Sequence, residues 1–382
     1  MTSAMWMPGL DYGAGHDSVR GEARQTAVQG TLAPPVAAAG QQGDSNLLIV
    51  QSATDFDQII GIDAEIGTAG LFSGNAKFSF KQRSKVSSQA TFCILRVFAT
   101  NAFVQLQHPQ LTPEAVELLK AKNTTRFRER FGDQFVSGLF SGCEFYGSVR
   151  IESRDVSTQT QIATSLQASY AGFAHGDASV HVDTNQSSSE HRIEVMTYQK
   201  GGEVNICVDV ATLFAQAKDA LDKSRTGQAY PFAVEMTPYR ELALPDDSVS
   251  LIDVEFARRA LAHLASHQQA LERISNDIDF VLRNQAWFAN VKVPELNDAN
   301  AAIASELTTI RDKADACSRD VANCTEYAPK YPAFVMPERV PGAPMTAPPT
   351  TAPAGLVQAL GSQNRRYVTA LQTHLALARL AR

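Results

Sequence analysis

The stretch Phe131–Cys143, FGDQFVSGLFSGC, contains three glycines among large apolar side chains. Glycine lacks a Cβ atom and costs conformational entropy inside a regular strand, so three glycines in such a short stretch need a mechanical reason. The residues on both sides are rich in the β-branched and aromatic types that favour strands. We therefore interpret this stretch as part of a long strand that bends.

Composition limits the classes of protein to which this chain can belong. Its 382 residues are 44% hydrophobic, which is enough for one large domain or two. The formal net charge of −6 argues against a broad surface for binding nucleic acid. No apolar run approaches the roughly 20 residues of a membrane-spanning helix, and residues 1–21 lack the pattern of a secretory signal. The sequence therefore predicts neither a constitutive membrane anchor nor a secretory signal.

Strand-like and helical stretches divide the chain. Residues 46–150 are strand-like, apart from one helix that Thr112 should cap at its N-terminus, and residues 191–202 form a further strand. Residues 22–43 are small, polar and interrupted by prolines, which predicts an irregular loop. The predicted divisions are an N-terminal segment at 1–45, a core at 46–253, a helical hairpin at 254–330, a proline-rich linker at 331–355 and a basic amphipathic helix at 356–382.

The five cysteines do not form a metal-binding pattern, because no two of them are spaced as C-x-x-C. Cys93 and Cys207 lie in apolar runs and should be buried thiols. Cys317 and Cys324 would be about 10 Å apart on a continuous helix, so they can pair only if the chain turns back between them. The sequence leaves both possibilities open.

Two segments alternate between apolar or small residues and polar residues with a period of two. The alternation runs from Ile62 to Phe80 and from Thr160 to Val182, and it is typical of a half-buried strand. One interpretation is an edge strand of a soluble sheet. The other is a strand of a membrane barrel, because about 9 to 11 residues suffice to span a bilayer as a tilted strand.

The glycine-rich stretch resembles the signature of the membrane attack complex/perforin (MACPF) family. In that signature an aromatic-Gly-Thr-His-aromatic run is followed six residues later by Gly-Gly. Phe131, Gly132, Phe135 and Gly142 match it in type and spacing, whereas Asp133, Gln134 and Cys143 depart from it. The stretches YGAGHDSVRG (12–21), GSVRIES (147–153), HRIEVMTYQKGG (191–202) and PFAVEMTPYRELALP (231–245) resemble other parts of the family in the expected order.

The resemblance implies an α+β fold with a bent, twisted sheet of four long antiparallel strands, two flanking helical clusters and, in this chain, a long helical hairpin after them. The clusters would be residues 62–90 and 154–190, which contain the two alternating stretches. We call these the first and second segments. The family's mechanism implies that both unfold into β-hairpins in a bilayer. The residues expected to face lipid are Ile62, Ile66, Phe72, Phe78, Phe80, Ile162, Leu166, Tyr170, Val180 and Val182.

Glycines without a Cβ atom are the expected hinge positions of such a sheet. These are Gly132, Gly138, Gly142, Gly201 and Gly202. A static bend with ordinary bulge glycines is the alternative interpretation.

The function that the resemblance implies is that of a pore-forming protein, secreted or otherwise released in soluble form, that assembles with copies of itself into a ring or arc on a target membrane. A non-lytic MACPF-like protein for adhesion or assembly is the alternative. The sequence has no G-x-S-x-G, H-E-x-x-H, P-loop or G-x-G-x-x-G motif, so we expect neither catalysis nor a bound cofactor or metal.

Overall fold

The computed structural model describes residues 2–33, 42–50, 52–62, 76–174, 191–200, 207, 209–224, 230–244 and 252–340. The protein is mixed α+β, with a bent, open antiparallel sheet that carries helices on both faces. The strands are β1 (Thr2–Met5), β2 (Ala14–Asp17), β3 (Glu22–Thr26), β4 (Val28–Leu32), β5 (Gln42–Val50), β6 (Thr91–Thr100), β7 (Val104–Leu111), β8 (Gln134–Ser153), β9 (His191–Lys200) and β10 (Tyr230–Pro238).

Eight α-helices lie within these described ranges. They are α1 (Ala53–Ile60), α2 (Ala76–Ser84), α3 (Pro113–Lys120), α4 (Thr124–Phe131), α5 (Val156–Ala174), α6 (Val210–Ser224), α7 (Ile252–Arg283) and α8 (Val293–Arg319). The helix predicted after Thr112 is confirmed, because the Thr112 side chain accepts a hydrogen bond from the backbone N–H of Ala115. None of the helices within the described ranges combines the length and apolar character needed to cross a membrane.

The centre of the sheet is β8, which is 20 residues long. Its second half pairs with β6 on one side, from Gly142 opposite Thr100 to Ile151 opposite Thr91. On the other side it pairs with β9, and β5 pairs with the outer side of β6. The order β5–β6–β8–β9 is the four-stranded antiparallel sheet that the MACPF resemblance implies, and that prediction is confirmed.

The two faces of this sheet differ in character. Odd-numbered positions of β6, β8 and β9 supply apolar side chains, and α5 and α6 pack on that face. Even-numbered positions include Glu144, Ser148, Arg150 and Glu152, all of them buried. Helices α1 and α2 pack on this second face together with Tyr146 and other aromatic residues. One face is therefore an ordinary hydrophobic core, whereas the other buries charge.

Helices α7 and α8 form the predicted helical hairpin, with a core of its own. The chain turns back after α8, and Cys317 and Cys324 form a disulfide with a Cα–Cα distance of 4.4 Å. Residues 331–340 form neither helix nor strand apart from one bridge at Arg339, and Phe334 and Met336 pack against the core of the hairpin. The remaining residues of the predicted linker and the predicted helix at 356–382 lie outside the described residues.

Two local predictions are wrong. Residues 22–26 and 28–32 are strands β3 and β4 rather than an irregular loop, and their side chains are mostly exposed. Because these strands bury few residues, they lack the apolar alternation that would have revealed them. Residues 76–80 and 160–174 are helical, as the MACPF resemblance implies, and the alternative interpretation of these stretches as edge strands is wrong. Packing against the sheet overrides their local alternation with a period of two.

Candidate functional site

The MACPF-like signature lies where three distant parts of the chain meet. The backbone N–H of Asp133 donates to the carbonyl of His16 at 3.0 Å, and the Tyr239 hydroxyl donates to the carbonyl of Phe131 at 2.9 Å. Gly132 has φ +74°, and a Cβ atom there would lie 2.1 Å from the carbonyl oxygen of His16. Glycine at this position is therefore required by a close backbone approach as well as by the backbone conformation.

The residue that replaces the family's threonine has a structural role of its own. Asp133 accepts hydrogen bonds from the Ser18 N–H at 2.7 Å and the Ser18 hydroxyl at 2.6 Å. Burial raises the pKa of Asp133, and the hydrogen bonds from Ser18 oppose that rise. Phe131 and Phe135 are fully buried and pack in a cluster with Phe127 and Tyr239. The signature residues therefore form a tightly packed corner, and the hydrogen bonds of Asp133 connect the N-terminal motif to it.

Strand β8 changes its neighbours at Gly142. Before this residue β8 pairs with β10, which begins with Tyr230 opposite Gly142. After it β8 pairs with β9, whose last residue, Lys200, lies opposite Glu144. Gly142 has φ +155°, and a Cβ atom would lie 1.9 Å from the carbonyl oxygen of Ala99. The glycine-rich stretch thus marks the point where the neighbouring strand changes.

The remaining predicted hinge glycines are Gly138, Gly201 and Gly202. A Cβ atom on Gly138 would lie 2.1 Å from the ring of Phe103, so Gly138 makes room for an aromatic ring. Gly201 and Gly202 directly follow β9 in sequence and lie outside the described residues.

Both predicted segments leave the sheet at the same end. The ladder pairs Val50 of β5 with Phe92 of β6, and it pairs Ser153 of β8 with His191 of β9. The first segment lies in the connection between β5 and β6, and the second lies between β8 and β9. Each segment therefore joins two neighbouring antiparallel strands, and we call this edge the segment end of the sheet.

The first segment buries charged and aromatic side chains together. Lys77 of α2 forms an ion pair with Glu144 of β8, and both side chains are less than 10% exposed. The Tyr146 hydroxyl also donates to Glu144, at 2.9 Å. Lys81 of α2 forms a second ion pair, with Asp57 of α1, at 2.7 Å. These pairs allow α2 to bury polar side chains at positions that an isolated strand would expose.

The second segment packs on the opposite face of the sheet. In α5, Leu166 and Tyr170 are buried in the core formed with α6, and the ring of Tyr170 lies 5.0 Å from that of Phe214. The Gln167 side chain donates to the carbonyl of Leu47 in β5 at 3.0 Å. The Sγ atom of Cys93 in β6 lies 4.0 Å from the carbonyl oxygen of Ala163. Helix α5 therefore lies directly over β5 and β6.

The predicted lipid-facing residues are placed as follows. Ile62, Phe78, Phe80, Leu166 and Tyr170 are buried, Ile162 is partly buried, and Ile66, Phe72, Val180 and Val182 lie outside the described residues. The described residues are thus already removed from water in this structure. An insertion driven by transferring them from water to lipid is therefore not the right energetic account for these positions.

The helical hairpin holds the segment end of the sheet through residues that sequence reasoning missed. Asp277 of α7 accepts hydrogen bonds from the Ser87 hydroxyl and the Ser88 N–H, both at 2.7 Å, and from the Ser88 hydroxyl at 2.9 Å. Arg283 donates to Glu152 at 3.1 Å, close to the end of β8. No pattern in the sequence marks these residues, because their partners lie more than a hundred positions away.

Comparisons with known proteins give likeness in structure alone. No family model matches the chain, and no curated protein matches it in sequence. The solved structure of stonustoxin is 12% identical and aligns with 85% of this chain and 43% of its own, at a TM-score of 0.44. GNIP1Aa from Chromobacterium piscinae is 16% identical over 66% of this chain and 56% of its own, at 0.35.

A third structure carries the family term in its description. It is a putative cell invasion protein with a MAC/Perforin domain from Bacteroides thetaiotaomicron, 8% identical over 69% of this chain and 65% of its own, at a TM-score of 0.33. The chain spans less than two thirds of each of these three proteins.

Proposed function

We propose that this chain is a pore-forming protein that binds a target membrane, associates with copies of itself into a ring or arc, and inserts two β-hairpins per subunit. The hairpins are the first segment, 62–90, and the second, 154–190. One observation carries the proposal. Both alternating segments join neighbouring antiparallel strands at the same end of one sheet, so two extended hairpins would continue the existing ladders in one direction.

The apolar side chains of α2 and α5 do not supply the driving force for membrane insertion. Those side chains are buried before insertion, so moving them into hydrocarbon replaces one apolar environment with another. New backbone hydrogen bonds between the hairpins of adjacent subunits supply the gain instead. A strand in lipid must pair on both edges, which makes insertion dependent on assembly. The cost includes breaking the buried ion pair between Lys77 and Glu144.

The hinge role of the glycines belongs to the same proposal. Opening of the sheet at Gly142 would let the half of β8 that carries the segment change its angle to the tightly packed corner at Gly132. Gly201 and Gly202 would serve the same purpose after β9. We expect the double variant Gly201→Val/Gly202→Val to fold and bind membranes but not to release dye from liposomes. Lysis equal to that of the unmodified protein would contradict the hinge role.

We also assign a role to the first three of the five predicted divisions of the chain. Residues 1–45 complete the corner of the MACPF-like core, residues 46–253 carry the insertion machinery, and residues 254–330 brace the segment end of the sheet. The linker and the C-terminal helix, 331–355 and 356–382, remain expectations from the sequence beyond residue 340.

A reversible lock tests whether the second segment leaves the sheet. Ala163→Cys places a thiol on α5 opposite the native Cys93 of β6. After oxidation, confirmed by thiol titration, we expect no dye release from liposomes, and a reductant should restore it. Ala163→Ser is the matched control, and the unmodified protein with reductant controls for the Cys317–Cys324 disulfide. Undiminished lysis by the oxidised variant would contradict insertion of this segment.

Neighbouring labels test the orientation of the inserted strand. Gln161 is exposed on α5 and Ile162 is partly buried, and in a strand they point to opposite faces. Cysteines at each position in a Cys207→Ser background, labelled with an environment-sensitive dye, should report water at 161 and lipid at 162. Equal signals on the membrane would contradict the hairpin. Assembly on liposomes without any dye release would favour the adhesion or assembly alternative.

A further inference from the structure

The segment 331–340 is fixed to the helical hairpin by backbone pairing. The Ala289 N–H donates to the carbonyl of Glu338 at 2.8 Å, and the Val340 N–H donates to the carbonyl of Trp287 at 2.9 Å. These bonds flank Arg339, which lies opposite Phe288 in an antiparallel bridge. The position of Arg339 is therefore set by the backbone on both sides.

The guanidinium of Arg339 lies within cation–π distance of two aromatic rings that contact each other. Its central carbon is 5.4 Å from the ring centre of Phe280 and 5.6 Å from that of Phe288. Cation–π contacts of this kind hold a planar guanidinium in a fixed orientation and favour arginine over lysine. All three nitrogen atoms of this guanidinium donate hydrogen bonds to residues outside the hairpin.

The guanidinium fork connects the two strands that carry the segments. Nη2 of Arg339 donates to the carbonyl of Gln89 at 2.5 Å, and Nη1 donates to the carbonyl of Ser153 at 2.7 Å. Nε also donates to the side-chain oxygen of Gln89, at 3.2 Å. Gln89 ends the first segment just before β6, and Ser153 ends β8 just before the second segment. We call the two junctions between segment and sheet, at Gln89 and at Ser153, the roots of the segments. The Arg339 side chain thus donates hydrogen bonds to both roots.

A second side chain repeats the same bridge from within the second segment. Nε2 of Gln159, in α5, donates to the carbonyls of Gln89 and Ser153 at 3.0 and 3.1 Å. The last ladder pair between β6 and β8 is Thr91 with Ile151, so Gln89 and Ser153 would face each other two positions further along if that ladder continued. While Arg339 and Gln159 occupy these carbonyls, they are not available to extend the strands.

We propose that Arg339 is a latch that holds both segments in their helical state and must be released before the hairpins form. This inference rests on the proposed insertion of the two segments. It assigns an autoinhibitory role to residues 331–340, which the sequence alone predicts to be a linker. Release of residues 331–340 would remove the contact that the C-terminal part of the chain makes with both segments, and Gln159 would leave the same two carbonyls as α5 unfolds. The two segments would therefore be coupled through one shared set of hydrogen bonds.

Hydrogen exchange on the soluble protein tests the latch without a membrane. In Arg339→Ala we expect amide exchange to rise by about tenfold or more at residues 85–90 and 154–160, because charge-assisted hydrogen bonds to both roots are lost. Exchange in α3, far from the latch, should stay unchanged. The matched control is Arg319→Ala, since the Arg319 side chain is 72% exposed and pairs with Asp315 one helical turn away.

The second arm measures dye release from liposomes. Arg339→Ala should shorten the lag before release, whereas Arg319→Ala should behave like the unmodified protein. If Arg339→Ala raises amide exchange throughout the protein, the variant Arg339→Lys tests the latch instead. Lysine keeps the positive charge but lacks the fork that reaches both carbonyls, so exchange should still rise at both roots. Unchanged exchange at both roots in Arg339→Lys would overturn the latch. A protein that never releases dye would refute the proposed pore but would leave the exchange result standing as a test of the contact.

Discussion

Lys77 of α2 and Glu144 of β8 form a buried ion pair between the first segment and the central strand, two residues beyond Gly142. Lys77 occupies a polar position of the alternating stretch, which would face water in an inserted hairpin. In this structure the same lysine is held by a carboxylate of the sheet. The pair is therefore both a stabilising contact of the helical state and a barrier to leaving it.

Removing one partner of this pair should destabilise the protein strongly. Lys77→Met leaves Glu144 buried opposite an apolar side chain, and we expect a loss of about 3–5 kcal/mol in the free energy of unfolding. The double variant Lys77→Met/Glu144→Gln should recover most of that loss, because no buried charge remains. Urea unfolding of both variants measures the difference. A double variant as unstable as the single one would show that the ion pair is not the cause.

The brace from α7 should protect the first segment selectively. Asp277→Asn removes the charge that accepts three hydrogen bonds from Ser87 and Ser88. We expect faster hydrogen exchange at residues 85–90 and little change at the start of α5. The reason is that Asp277 accepts hydrogen bonds from the first segment, at Ser87 and Ser88, and not from the second. Asp315→Asn, on the exposed side of α8, is the control. Equal changes at both roots would contradict the assignment.

Burial of His16 at the corner should make stability depend on pH. Burial lowers the pKa of His16 to about 4, whereas the unfolded chain binds the proton near pH 6.5. Since the unfolded state takes up the proton first, the free energy of unfolding falls as pH decreases from about 6.5 to about 4, by about 3 kcal/mol in total.

The comparison with His16→Gln isolates this contribution, because Gln does not titrate. The difference in stability between the two proteins should change across that pH window and level off below it. Asp133 contributes with the opposite sign, since burial raises its pKa and its protonation favours the folded state as pH falls. Asp133 is present in both proteins, so its contribution cancels in the difference between their free energies of unfolding. A difference that does not change with pH would contradict the prediction.

Gly142 should not tolerate a Cβ atom. In Gly142→Ala the new Cβ atom would meet the Ala99 carbonyl, which is backbone and cannot rotate away. We expect a loss of about 3 kcal/mol or more. Gly61→Ala is the control, because Gly61 also has positive φ but only the Lys77 ammonium lies near its Cβ position, at 3.7 Å. That variant should lose about 1 kcal/mol, and equal losses would contradict the steric account.

Much of the architecture was predictable because its signals are local. The strands β6, β8 and β9 carry β-branched and aromatic residues, and α3 carries its own cap at Thr112. The amphipathic pattern after residue 253 gave two long helices because their apolar stripes face each other. The MACPF resemblance added the four-stranded antiparallel sheet and the two helical clusters between its strands, which no local pattern contains.

The candidate site was predictable only in outline. The alternation in both segments is a property of the sequence, but the helices that these segments form depend on the sheet that covers them. Strands β3 and β4 were missed because exposed strands need no apolar alternation. Glu144, Asp277 and Arg339 were missed because each acts on a partner far away in the chain.

The sequence by itself determined which stretches can be strands or helices, and it placed glycine wherever the backbone at the corner leaves no room for a Cβ atom. The tertiary structure alone decided that the two segments lie on opposite faces of one sheet, that their roots share one end, and that residues 331–340 fasten that end. The physical reason is the separation along the chain over which each kind of interaction acts. Propensity, capping and periodicity act over a few residues, whereas burial, ion pairing and hydrogen bonding to the carbonyls of distant residues depend on groups that only the folded chain brings together.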